Sequence, residues 1–253
     1  MKKIAATLAL AGLAATALAQ PGNKTGIEIK VRKFGTSDAW SSSLTLQSAN
    51  LVDPIDVEVG AFYYRNSGYG LATVVHSITG SPYSAANGDL ATVLDDNPTS
   101  SLHPDGRVGN FNFGGQLQSV YQTGTSGVDA NRFRIAANGN AADSAAGGIS
   151  VKQNNPVALG AAFDTRDGVL GYHFKLSLAC YNAGAARTIT IDAPNAKISS
   201  YRVYAASTST TATDIIASLG TTVPATLNVS WAPAPASLAL LGMGGLVAGR
   251  RRR

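Results

Sequence analysis

The sequence predicts an all-β protein, an antiparallel β-sandwich of which the jelly roll is one arrangement. Two observations carry that expectation. Apolar and polar residues alternate with a period of two in segment after segment, the spacing of half-buried strands. Short turn-forming clusters separate those segments. The 253 residues include 27 glycines and only 14% charged side chains, a balance that suits a turn-rich sandwich better than a helical bundle.

The N-terminal segment is set apart from the sandwich. Met1-Lys2-Lys3 is a short basic region, and Ile4 to Ala15 is an apolar run interrupted only by Thr7 and Gly12. Ala17-Leu18-Ala19 then places small residues at the two positions that signal peptidase reads. Residues 1–19 therefore read as a signal peptide cut before Gln20, and the mature chain as an exported one. Gln20 is not a cysteine, so no lipoprotein-type attachment is expected.

Residues 20–231 read as the sandwich domain. Ile27, Ile29 and Val31 alternate with Glu28, Lys30 and Arg32; Ile55, Val57, Val59 and Ala61 alternate with Asp56, Glu58 and Gly60. Tyr172, Phe174, Leu176, Leu178 and Cys180 share one face opposite His173, Lys175 and Ser177. Ile189 and Ile191 alternate with threonines and Asp192, and Leu227, Val229 and Trp231 with Asn228 and Ser230. Further strands are expected around Leu44 to Leu46, Leu71 to Ile78, Phe111 to Phe113, Arg132 to Ile135, Ile149 to Val151 and Tyr201 to Tyr204. Turns fall at Asn66-Ser67-Gly68, Pro104-Asp105-Gly106, Asp167-Gly168 and Asn182-Ala183-Gly184. Two short helices are expected, Asp89 to Leu94 and Asp214 to Leu219 with Gly220 as its stop. Ala136 to Gly148 and Ala205 to Thr213 read as long loops.

The last 22 residues, 232–253, are of another kind. Ala236 to Gly249 is 14 residues without a charge. As a helix it spans about 21 Å, against a hydrocarbon core of about 30 Å. Extending it to Ala232 brings in Pro233 and Pro235, and four glycines weaken it further. It is a short transmembrane helix at most. Arg250, Arg251, Arg252 and Arg253 would hold its end in the cytoplasm, with everything before it outside.

Pro233-Ala234-Pro235-Ala236-Ser237, the Leu238-Ala239-Leu240-Leu241-Gly242 run and the arginine cluster together resemble the PEP-CTERM sorting signal of Gram-negative bacteria. Ala234 stands where that family has glutamate. The resemblance implies export, retention in the membrane through the C-terminal segment, and processing by an exosortase-type enzyme. It also implies delivery to the cell surface or extracellular matrix. It covers only this segment and says nothing of the body.

The two ends also account for the charge. The chain has 20 basic residues against 15 acidic ones, but Lys2, Lys3 and Arg250 to Arg253 all lie in the sorting segments. Without those six, 14 basic residues face 15 acidic ones, and the basic signature of a nucleic-acid partner disappears. Cys180 is the only cysteine, so no intrachain disulfide forms and core burial must supply stability. Its place on an apolar face reads as a buried, inert thiol.

No catalytic motif stands out. His76, His103 and His173 form no ligand-spaced pair. His76 reads as a buried, hydrogen-bonded side chain and His173 as a solvent-facing one. Asp95-Asp96-Asn97 and Asp164 to Gly168 bring oxygen ligands together but match no calcium loop, and turn chemistry explains both. No cofactor or metal is expected. Tyr63-Tyr64-Arg65-Asn66-Ser67-Gly68-Tyr69 is the one ligand-like stretch. With Tyr63 in the core, Tyr64 would project outward. Tyr64 and Tyr69 could then stack on a sugar while Arg65 and Asn66 bond its hydroxyls.

The leading reading is a non-catalytic surface or matrix protein. A carbohydrate-binding module acting on extracellular polysaccharide is the alternative. A polysaccharide-active enzyme, with Asp164 and Asp167 as paired carboxylates, is the third.

Overall fold

A computed structural model describes residues 25–64, 70–94, 111–113, 118–123, 131–137, 149–153, 155–159, 169–180 and 186–231. The segments 1–19 and 232–253 lie outside them, as do Arg65, Asn66, Tyr69, Asp95 to Asn97 and Asp164 to Gly168.

The described chain is all-β apart from short turns of helix. In order, its strands are β1 (Gly26–Lys33), β2 (Ser43–Ser48), β3 (Ile55–Tyr64), β4 (Gly70–His76), β5 (Ile78–Ser81), β6 (Leu90–Val93), β7 (Phe111–Phe113) and β8 (Gln118–Thr123). They continue as β9 (Arg132–Ala137), β10 (Ile149–Gln153), β11 (Val169–Leu178), β12 (Ala186–Asp192), β13 (Ile198–Tyr204), β14 (Thr213–Asp214) and β15 (Ala225–Trp231). Three sheets result, with strand orders β1-β3-β11-β6, β2-β15-β12-β5-β9-β8 and β14-β13-β4-β10-β7. The ladders are antiparallel except that between β15 and β2, which is parallel and departs from the all-antiparallel expectation.

The six- and five-stranded sheets run into each other and act as one layer. The expected strand Leu71 to Ile78 bends at Ser77, so β4 pairs with β13 and β10 while β5 pairs with β12 and β9. Bends of this kind form the corners of sandwiches whose strands change sheet. A second corner follows β12, where Pro194 cannot donate to the ladder and a 3-10 turn, Asn195–Lys197, leads into β13.

The four-stranded sheet covers this layer. Phe133 of β9 meets Phe174 of β11 edge-on at 5.6 Å between ring centroids, and Tyr63 of β3 meets His76 of β4 at 5.4 Å. One hydrophobic cluster runs through all three sheets. The predicted alternation puts Ile29, Val31, Val57, Val59, Ala61, Tyr172, Phe174 and Leu176 on the inner face with no solvent exposure.

Both expected helices are corrected. Asp89 to Leu94 is no helix: its carboxylate is held by the Ser84 and Ala179 N–H groups and by Arg187, and the residues after it pair with β11 as β6. Asp214 to Leu219 becomes the two-residue β14 and a 3-10 turn, Ile216–Ser218. There the Ile215 N–H is drawn to the Tyr201 carbonyl, and Asp214 Oδ1 accepts the Ile216 N–H. Cys180 lies beyond the end of β11, half-buried at the core's edge rather than inside it.

Candidate functional site

Among the described residues, the outer face of the four-stranded sheet carries a dense cluster of polar and aromatic groups. Glu28, Lys30 and Arg32 alternate outward along β1, Glu58, Phe62 and Tyr64 along β3, and His173 and Lys175 along β11. Pairing brings them into rows, with Arg32 opposite Glu58 and Glu58 opposite Lys175.

Period-two reading makes this the wet face of the sheet, yet Glu58 is 4% and His173 8% exposed. The expectation of a solvent-facing His173 is therefore corrected. β11 is an inner strand, flanked by β3 and β6. The chain between β1 and β2 returns Trp40 across the sheet, edge-on to Phe62 at 5.3 Å, with the Arg32 guanidinium 4.4 Å from the Trp40 ring centroid. Gly60 allows that approach, because a Cβ there would come within 2.9 Å of Trp40 and 2.8 Å of Leu170.

The Glu58 carboxylate is engaged on both oxygens. Arg32 Nε donates to Oε2 at 2.7 Å, and His173 Nδ1 lies 2.6 Å from Oε1. Burial alone would push this carboxyl up, but the hydrogen bonds from His173 and Arg32, with the charges behind them, hold it down at about 2. So held, Glu58 is an ionised structural anchor and a poor general base at neutral pH.

Tyr64 is likewise corrected from the expected solvent-facing position. It is 6% exposed, and Lys30 Nζ donates to its hydroxyl at 2.9 Å. Lys30 also lies 4.8 Å from the Phe62 ring centroid and 3.6 Å from the Glu28 carboxylate. Tyr64 and Glu28 border a pocket of about 180 Å³, completed by Thr25 and Gly26 and by Thr221 and Val223 of the segment that runs beside β1. The structure thus sets Tyr64 in a pocket wall, where it offers no exposed stacking platform. Its expected companions Arg65, Asn66 and Tyr69 lie outside the described residues. Sequence reasoning missed Trp40, Arg32 and Glu58 as a unit, since only the aromatic-cation pairing of Arg32 with a tryptophan eight residues on hints at it.

The remaining sequence candidates fall elsewhere. His76 is fully buried, as expected, with Nε2 2.7 Å from the Tyr63 hydroxyl. Burial lowers its pKa to about 4. Among the described residues no group of three or more His, Cys, Asp or Glu side chains could hold a metal ion.

These two groups predict acid sensitivity. Both folded-state values lie below their unfolded ones, so each contribution is complete above the unfolded value and lost as pH falls through the folded value. His76 should remove about 3 kcal/mol between pH 6.5 and 4, as the unfolded chain takes up a proton that the core refuses. Glu58 adds a further loss between pH 4.5 and 2. Urea midpoints across this range will show both, and His76→Gln should flatten the upper part. A flat profile from pH 6.5 to 4 in the wild type would refute the assignment.

In class, then, the described chain is a β-sandwich module. No family model matches the sequence, and no curated protein matches it. Among solved structures, the seventh ScaB type I cohesin from Pseudobacteroides cellulosolvens aligns over 83% of this chain and 94% of its own, at 8% identity and a TM-score of 0.39. A chain of the complex of a CaDoc0917 variant with CaCohA2 aligns over 81% and 99%, at 9% identity and a TM-score of 0.34. Nothing about the site is carried over from either.

Proposed function

We propose that this protein is an exported, non-catalytic component of the cell surface or extracellular matrix, delivered by its N-terminal signal and sorted by its PEP-CTERM-like C-terminal segment. What supports this reading is the order of residues at the two ends of the sequence, a basic start, an apolar run and Ala17-Leu18-Ala19 at one, and Pro233 to Ser237, an apolar run and Arg250 to Arg253 at the other. Every described strand lies between Gly26 and Trp231, and Trp231 is itself buried at the end of β15, two residues before Pro233. The cluster on the outer sheet face agrees with a non-catalytic body, since its Glu58 carboxylate is engaged on both oxygens by Arg32 and His173. The alternative, a carbohydrate-binding module, would use the pocket beside Tyr64.

Cell fractionation with sizing of the chain tests the sorting mechanism. Replacing Arg250 to Arg253 with Ser should weaken membrane retention, because a 14-residue, glycine-rich run holds poorly without its charged stop. Replacing Pro233 and Pro235 with Ala should leave the span intact and accumulate an unprocessed, membrane-bound chain. Proline variants processed like the wild type would overturn the sorting reading.

A further inference from the structure

The edges of the three sheets are treated unequally. β1 is an edge strand, but it is covered: the Ile29 N–H donates to the Val223 carbonyl at 2.9 Å, the Gly220 N–H to the Thr25 carbonyl at 2.8 Å, and Val31 exchanges bonds with Ser41. β14 is only two residues long and carries Asp214, 3.7 Å from Arg202. Short length, charge and covering segments are the usual ways of blunting an edge.

β2 has none of these. It is the outermost strand of the six-stranded sheet, six residues of sequence Ser43-Leu44-Thr45-Leu46-Gln47-Ser48, and it holds no charge and no proline. All six pair in unbroken parallel register with β15, so no bulge turns the edge away. The Thr226 N–H donates to the Ser42 carbonyl at 2.9 Å, which sets the phase of the ladder. Leu44 and Leu46 aim their backbone groups at β15, and the alternate residues Ser43, Thr45 and Gln47 aim theirs outward. The Ser43 N–H is taken by Ser41 Oγ at 3.2 Å. Thr45 and Gln47 are exposed, and their outward N–H and C=O groups have no partner among the described residues.

We propose that this edge pairs with the same edge of a second copy of the chain, antiparallel about a two-fold axis at Leu46. In that register Thr45 lies opposite Gln47 of the other copy, and the two residues exchange both of their backbone bonds, four in all across the axis. Leu46 meets its own mate on the inner face, and the half-buried Leu44 gains cover. The absence of charge argues for a like partner. Strands from a second copy bring near-identical stretches together, so any charge at the seam would sit close to its like, and here there is none. Pairing one six-residue strand buries less surface than a stable standard-size interface. The contact is therefore weak in dilute solution and becomes effective where copies are concentrated, as on a surface or in a matrix. The proposal stands apart from the sorting mechanism and is read by a different experiment.

Sedimentation of the full chain in mild detergent over a concentration series tests it. The wild type should pass reversibly from monomer to dimer. Thr45→Pro removes an outward N–H that takes no part in the fold, so the variant should keep the wild-type circular dichroism and self-associate at least tenfold more weakly. Thr45→Glu and Gln47→Lys should each associate more weakly alone and recover as a mixture, since the register sets residue 45 against residue 47. A wild type that stays monomeric, a dimer indifferent to Thr45→Pro, or a mixture without recovery overturns the proposal. A monomer that binds a strand from an unrelated protein also does so.

Discussion

Replacing Asp89 with Ala should destabilise the fold by about 3 to 5 kcal/mol, the cost of leaving a buried charge without its partner. The Asp89 side chain is fully enclosed, and four donors converge on it. Arg187 grips it with both terminal nitrogens, at 2.8 and 3.0 Å, and the Ser84 and Ala179 N–H groups donate to it at 2.9 Å each. The same guanidinium bonds the Ala179 carbonyl and stacks 5.2 Å from the centroid of Trp231. One carboxylate thus ties together the turn before β6, the end of β11, β12 and the last residue of β15. Without it, two backbone donors and a guanidinium are stranded in a dry site. For a body of this size the loss corresponds to a fall in Tm of roughly 10 °C. Asp89→Asn keeps one acceptor and should lose less. In an Arg187→Met background the cost of Asp89→Ala should shrink, because the unpaired charge is gone. Thermal or urea melts of the four chains measure this, and strictly additive losses would mean that the pair is not the cause.

That network also shows what the sequence could and could not disclose. Asp89 followed by an apolar run reads as a helix cap. Its fate is decided by Ala179 and Arg187, 90 and 98 residues away, and nothing local records them. The strands whose alternation is plainest, β1, β3, β11, β12 and β15, each bury one face against the opposing layer, so the period survives in their residues. β8, Gln118-Ser-Val-Tyr-Gln-Thr, sets its two apolar residues side by side and shows no period. The parallel pairing of β15 with β2 joins segments some 180 residues apart and leaves no trace in either. At the candidate site the outward residues were correctly placed on their strands. Their burial was not visible, because it depends on contacts between strands, Lys30 with Tyr64 and Arg32 and His173 with Glu58, and on Trp40 of a connecting loop against Phe62 and Arg32. Period two tells which way a side chain points and is silent on whether something lies over it.

Gly171→Ala should be among the most damaging single-methyl changes in the chain, costing at least the 1 to 3 kcal/mol typical of overpacking. β11 shifts register against β3 between Leu170 and Tyr172, and Gly171 is the extra residue at that irregularity. A Cβ there would collide with the Cδ2–Cε2 edge of the Tyr63 ring, well within contact distance of Cε2 and 2.5 Å from Cδ2. Tyr63 has little freedom to yield. It is fully buried, its hydroxyl lies 2.7 Å from His76 Nε2, and its ring meets the His76 ring edge-on. Moving the ring would break that bond inside the core and leave the imidazole short of a partner. The glycine is therefore required by the close approach of an aromatic ring, whatever its backbone angles. A double-mutant cycle separates this cause from a general weakness of the bulge. In a Tyr63→Leu background, where the ring is absent, adding Gly171→Ala should cost much less than it does in the wild type. If the penalty is the same in both backgrounds, Tyr63 is not what the glycine makes room for.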